Sequence, residues 1–166
     1  MVGGEFCVAG VSDYERRQIQ SLLPSADWAI DEGAALVLLP LEESFERTYT
    51  AAIAPALAKA GLNRADVRRV FDDGSPLADV ATALTTAQLI VADVTALNPS
   101  ILYVLGLAHA LGRSPLLISR HAGDLPFDLW RLRCIEYAPT ANGLLLLRQR
   151  LARAVRIFLA ASQGGQ

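Results

Sequence analysis

Cysteine is scarce in this 166-residue chain, and the two present, Cys7 and Cys134, stand far apart with neither CxxC nor Cys/His spacing. A disulfide scaffold and a structural metal are therefore excluded as expectations. Excess positive charge is lacking too: 15 basic against 17 acidic residues leave a formal charge of -2, so no global field favours general nucleic-acid binding. The longest apolar runs, Ala34 to Leu39 and Leu144 to Leu147, fall well short of the ~20 residues that a membrane helix needs. No membrane partner is expected. The short apolar stretch Phe6 to Val11 has no basic residues ahead of it and is followed by Asp13, Glu15, Arg16 and Arg17, so no secretory signal is expected and a cytoplasmic protein is. Neither GxxxxGK[ST] nor GxGxxG follows a strand, which argues against a phosphate-loop NTPase or a dinucleotide dehydrogenase, and no cofactor is expected. Acyl transfer has no GxSxG to support it. Trp28 and Trp130 are isolated and make no stacking platform, and the low lysine usage, a single Lys59 against fourteen arginines, suggests only a compositional bias.

What the chain has in quantity is core-forming sequence, at 52% hydrophobic and 19% charged, in a length that suits one domain. Ser12-Asp13-Tyr14-Glu15 has capping-box spacing and opens a polar helix ending near Leu23-Pro24, so residues 1–33 read as an N-terminal extension. Ala34 to Leu39, stopped by Pro40, is a strand buried on both faces. Ser44 can cap a helix with Phe45, Tyr49, Ile53, Leu57 and Ala60 on one face, closed by Gly61. A weaker strand spans Asp66 to Phe71. Gly74-Ser75-Pro76 then introduces a helix through Leu77, Val80, Ala81 and Leu84. Leu89 to Val94 is the second strong strand, Asn98-Pro99 starts a helix through to Gly112, and Pro115 to Ser119 is a third strand. Cys134 to Tyr137 is short and alternating. The last helix carries Leu144, Leu147, Leu151, Val155 and Phe158 on one stripe, which reads as core packing or, alternatively, as a subunit interface. Strands alternating with helices predict right-handed crossovers. The expected fold is α/β: a three-layer, flavodoxin-like or Rossmann-like open parallel sheet of about five strands over residues 34–162, with helices on both faces.

In such a sheet the ligand crevice lies outside the carboxyl ends of the strands. Four loops then carry the candidates: Pro40-Leu41-Glu42-Glu43-Ser44, Asp72-Asp73-Gly74-Ser75, Asp93 to Asn98, and Ser119-Arg120-His121-Ala122-Gly123-Asp124. Helices starting at Ser75-Pro76 and Asn98-Pro99 would aim free amides at that rim, which suits the anionic group of a nucleotide or phosphosugar. Each candidate has a plainer role beside the functional one. Asn98 and Ser75 are also helix caps, and the Asp72-Asp73 pair is also a solvated turn. Asp93 carries more weight, because a carboxylate directly after Leu-Ile-Val-Ala must find partners or titrate abnormally. His109, among Leu and Ala, reads as structural, whereas His121 lies beside Arg120 in a rim loop.

The stretch from Ile90 to Arg113, IVADVTALNPSILYVLGLAHALGR, resembles the core of the nucleoside 2-deoxyribosyltransferase-like superfamily, whose fold is related to TIR domains. The family pattern there is approximately ADxTxxNPNVxYELGxAHALGK. Val37 to Leu41 with Phe45, and Pro126 to Leu129, extend the likeness from about Ala34 to Tyr137. The resemblance implies a nucleoside or nucleotide ligand and, in active members, cleavage or transfer at the N-glycosidic bond. Such chemistry needs a carboxylate at the anomeric carbon. At the position of the family's glutamate this chain has Val104, which can neither attack nor stabilise positive charge.

By the same resemblance, Asp93 and Asn98 carry over as ligand contacts, with Asp93 the candidate catalytic group, Tyr103 and Val104 as pocket wall, and Gly106 as a close-packing position. Three functions stay open: a nucleotide-binding domain without efficient chemistry, an active N-glycosidase or transferase using Asp93, Asp79, Glu42 or Glu43, and a TIR-like self-association module. Pockets shared between subunits in related transferases imply a homo-oligomer. Restoring glutamate by Val104→Glu is expected to restore cleavage if the rest of the scaffold is intact.

Overall fold

The structure, a computed structural model, describes residues 29–40, 42–69, 77–121, 123 and 134–163. The polar helix expected near Ser12 to Leu23, and Leu41, Asp72 and Ser75, lie outside them. Five strands, β1 (Asp31–Leu39), β2 (Arg64–Arg69), β3 (Ala87–Asp93), β4 (Leu116–Ser119) and β5 (Cys134–Glu136), form one sheet in the order β2-β1-β3-β4-β5, every neighbouring pair parallel. β1 begins at Asp31 and not Ala34: Gly33 N–H donates back to Asp31 Oδ1 at 3.2 Å, and the register against β3 shifts between Asp31 and Ala35. A glycine there lets the strand take up the irregularity.

Alternation along the strands explains the two cores. Ala35, Val37, Leu39, Leu89, Val91 and Ile118 point to one face; Leu36, Leu38, Ile90, Ala92 and Leu117 point to the other, and all are buried. The first face is covered by a helical rod, α1 (residues 43–59), and by α4 (Ala141–Gln163). The second is covered by α2 (Leu77–Thr86) and α3 (Pro99–Ala110). In α4 the stripe Leu144, Leu147, Leu151 and Val155 is spent on the core, while Leu145, Leu146 and Ile157 face outward. The alternative use of that stripe as a subunit interface is thereby ruled out.

The rod α1 is not uniform. An α-helical turn pair, Glu43–Thr48, passes into a π-helical turn, Tyr49–Ile53, and returns to α-helix over Ala54–Lys59. Pro55 has no N–H to give the preceding turn, and the widened turn directly before it is where the hydrogen-bond ladder loosens. α2 ends in Thr82, Thr85 and Thr86; the hydroxyls of Thr85 and Thr86 bond back to carbonyls of the preceding turn before the chain enters β3.

Candidate functional site

The strand order reverses between β1 and β3, which places a crevice above their carboxyl ends. A cavity of about 420 Å³ lies there, walled by Glu42 and Phe45 from the start of α1, by Thr95 and Leu97 after β3, and by Arg120 and His121 after β4. A second cavity, of about 430 Å³, shares Arg120 and His121 and extends between Tyr137 and the first turns of α4. Arg120 is the divider between them.

The loop after β3 owes its shape to Asp93. Asp93 is fully buried, and its Oδ1 accepts from Thr95 N–H at 3.0 Å and from the Thr95 hydroxyl at 2.5 Å. Its Oδ2 accepts from the Tyr137 hydroxyl at 2.5 Å. The Thr95 hydroxyl oxygen in turn accepts from Arg120 N–H at 3.0 Å, tying β3 to β4 beyond the last ladder bond. Asn98 then caps α3, its Oδ1 accepting from Ser100 N–H at 3.0 Å and Ile101 N–H at 3.3 Å. Between these two fixed ends the chain must reverse. Ala96 and Leu97 take the left-handed region, with φ of 58° and 51°, at a cost of order 1–2 kcal/mol each for residues bearing a Cβ.

Burial is the largest influence on Asp93 and lifts its carboxyl above the ordinary carboxylate range, against the pull of the Thr95 and Tyr137 hydrogen bonds and of the Arg120 charge. Tyr137 is pushed up to about 12, first by burial and then by the Asp93 carboxylate beside it. Cys134 is pushed up to about 11 by burial, then by Asp93 and Glu136, which makes it an unreactive thiol. Thr48 lies close to this cluster, and its buried hydroxyl has no hydrogen-bond partner among the described residues.

Arg120 reaches over the crevice. Its guanidinium carbon stands 4.0 Å from the Phe45 ring centroid, its Nε donates to the Tyr137 hydroxyl at 3.3 Å, and Nη2 donates to the Ser44 hydroxyl at 3.0 Å and carbonyl at 3.3 Å. A guanidinium has five N–H groups, and those on Nη1 make no hydrogen bond among the described residues. The site therefore offers a planar cation held by an aromatic face, with donors to spare.

Several expected site residues are corrected. Asp93 does not face either cavity: it follows Leu89 and Val91 on the side of β3 towards α1 and α4, and its carboxylate is sealed beneath Thr95, Tyr137 and Arg120. Asn98 caps α3 on the other face, so the two do not converge on one hollow. Val104 is 0% exposed and belongs to the core between α3 and the sheet, not to a pocket wall. Tyr103 is half exposed on α3 and lines neither cavity at the crevice. Gly106 faces open space, and a Cβ there would touch nothing, so close packing does not require it.

Pro40 is buried at the exit of β1, Glu43 is exposed in the first turn of α1, and Asp79 is exposed on α2. Glu42 and His121 do line the crevice. His109 is half-buried on α3, but it is not the satisfied structural histidine expected, because its buried Nε2 has no hydrogen-bond partner among the described residues. Tyr137, Thr95 and Phe45 were not singled out by the loop argument, although a tyrosine directly at a strand exit is a signal that could have found the first.

Among the described residues no group of His, Cys, Asp and Glu could hold a metal ion, and no helix is long and apolar enough to cross a membrane. No protein-family model matches the chain, and no curated protein matches it.

Proposed function

We propose that the crevice binds a nucleoside or nucleotide, and that the protein is a recognition domain of nucleoside 2-deoxyribosyltransferase-like type without efficient N-glycosidic chemistry. The observation that carries this reading is Arg120, which lines a cavity of about 420 Å³ at the point where the strand order reverses and whose Nη1 donors have no partner among the described residues. That volume suits a ligand of nucleotide size. Phe45 and Leu97 give apolar walls for a ring, while Arg120 and His121 give a charged and a polar contact for a phosphate. The strand order 2-1-3-4-5 is that of flavodoxin-like folds, which supports the finer reading of the architecture. Binding without chemistry is favoured because Asp93 is sealed and Val104 is aliphatic and buried.

A nucleoside 5′-monophosphate is expected to raise the unfolding temperature more than the parent nucleoside does, and Arg120→Ala is expected to remove the difference, with Arg120→Lys retaining part of it. A panel of nucleosides and nucleotides that leaves the wild-type transition unmoved at millimolar concentration would overturn the proposal. One observation favours active cleavage as a second reading: Glu42 stands in the cavity wall. Chromatography for released base, lost in Glu42→Gln, would establish it.

A further inference from the structure

Away from the crevice, on the flank where α1 and α4 lie together, a cleft of about 560 Å³ is lined by Pro55 and Lys59 of α1 and by Arg148, Gln149, Ala152 and Arg156 of α4. Arg148, Ala152 and Arg156 follow one another at four-residue steps and so share one side of the helix. Pro55 and Ala152 are small, which leaves the cleft open between the two helices. Lys59, Arg148 and Arg156 are exposed, and none of the three makes an ion pair or hydrogen bond among the described residues.

The charge pattern is not that of an ordinary solvated helix face. The chain as a whole has more acidic than basic residues, yet α4 carries Arg148, Arg150, Arg153 and Arg156 and not one Asp or Glu over its 23 residues. Arg153 and Arg156 are like charges at a three-residue step, a mildly unfavourable pairing that an anion held by Arg156 in the cleft would relieve. Ala54–Lys59 across the cleft has no carboxylate either.

We infer that this cleft is an anion site for a compact, soluble ligand carrying two or more phosphate groups, separate from the crevice and independent of what the crevice binds. Three cations around one concavity match the charge of linked phosphates, and arginine can hold a phosphate through two parallel N–H donors. No aromatic side chain lines the cleft, so recognition rests on the phosphates and not on a stacked ring. The limited volume of the cleft, about 560 Å³, and the net charge of -2 favour a small polyanion over a nucleic-acid backbone.

The test is titration calorimetry of the full chain with inorganic tripolyphosphate and, separately, orthophosphate. Tripolyphosphate is expected to bind about tenfold or more tightly than orthophosphate, and to weaken as salt rises. Replacing both Arg148→Ala and Arg156→Ala, or Lys59→Glu alone, is expected to reduce that affinity about tenfold or more. Arg153→Ala, one turn away and outside the cleft, is expected to leave it unchanged. Absence of tripolyphosphate binding overturns the inference. So does a loss with Arg153→Ala equal to that of the double variant, which would mean a diffuse field, or an affinity that the double variant leaves unchanged, which would place the ligand elsewhere. Unchanged unfolding temperatures in these surface variants show that binding, and not folding, was altered.

Discussion

The Tyr137 hydroxyl donates to Asp93 Oδ2 at 2.5 Å, joining the chain just past β5 to the last residue of β3 across the intervening strand β4. Because the same hydroxyl accepts from Arg120, the buried carboxylate is connected to the cation that overhangs the crevice. Asp93 thus holds, through Tyr137, the cation in the cavity wall, and does not itself line the cavity.

Removing that hydroxyl leaves a buried carboxylate oxygen without its donor. Tyr137→Phe is expected to destabilise the fold by about 1–3 kcal/mol, read from urea unfolding, with the m-value unchanged. Nucleotide affinity should fall as well, since Arg120 loses one of its anchors. A variant as stable as wild type would show that the hydrogen bond is not a net contributor.

The pH dependence follows from the direction of the Asp93 shift. Its carboxyl is raised in the folded state, so the folded protein holds the proton more tightly than the unfolded chain. That stabilisation is complete below the ordinary carboxylate value and is lost as pH rises through the raised one. Asp93→Asn should flatten this part of the stability profile. Tyr137, raised to about 12, adds a second loss only in strongly alkaline solution, between its ordinary value near 10 and about 12. Phenolate absorbance during alkaline titration checks it: a tyrosine that ionises late in wild type should be missing in Tyr137→Phe.

Gly143 sits in the first turns of α4, where a Cβ would be driven into the backbone carbonyl of Ala138. Neither partner is the end of a flexible side chain, so the helix itself must move. Gly143→Ala is expected to cost about 1–3 kcal/mol, as overpacking does, despite alanine's better helix propensity. Thermal unfolding measures it, and a stabilised variant would refute the close approach.

Val104→Glu is now expected to destabilise and not to restore cleavage. The site is fully buried in one apolar cluster with Leu36, Leu38, Ile101 and Leu105. An uncompensated charge there costs about 3–5 kcal/mol, or the group stays protonated at a smaller cost. Released base from a well-folded variant would place that helix face against a ligand after all.

How far the sequence reached differs from element to element. Leu36 to Leu39, Leu89 to Ala92 and Leu116 to Ile118 were legible as strands buried on both faces, because an unbroken apolar run of that length has no polar side to leave in water. Asn98-Pro99 was legible as a helix start, since capping geometry is local, and the functional role weighed beside it gave way to the cap. The π-helical turn before Pro55 was not, because an amphipathic spacing tolerates one widened turn without losing its stripe. The motif around Asp93 and Val104 placed both near the strand exits. Motif spacing does not say which side of the sheet a residue faces relative to distant elements.

Sequence alone determined the class of the fold, α/β with a parallel sheet, because hydrophobic period and helix caps are properties of short segments. Tertiary structure alone decided which rim residues meet. Arg120, Phe45 and Tyr137 come from three separate parts of the chain, and only the pairing of β4 with β3 and β5 brings the cation over the aromatic ring and the hydroxyl onto the buried acid. The physical reason is that the desolvation of Asp93 and the stacking of Arg120 depend on neighbours across the sheet, and no local pattern encodes those neighbours.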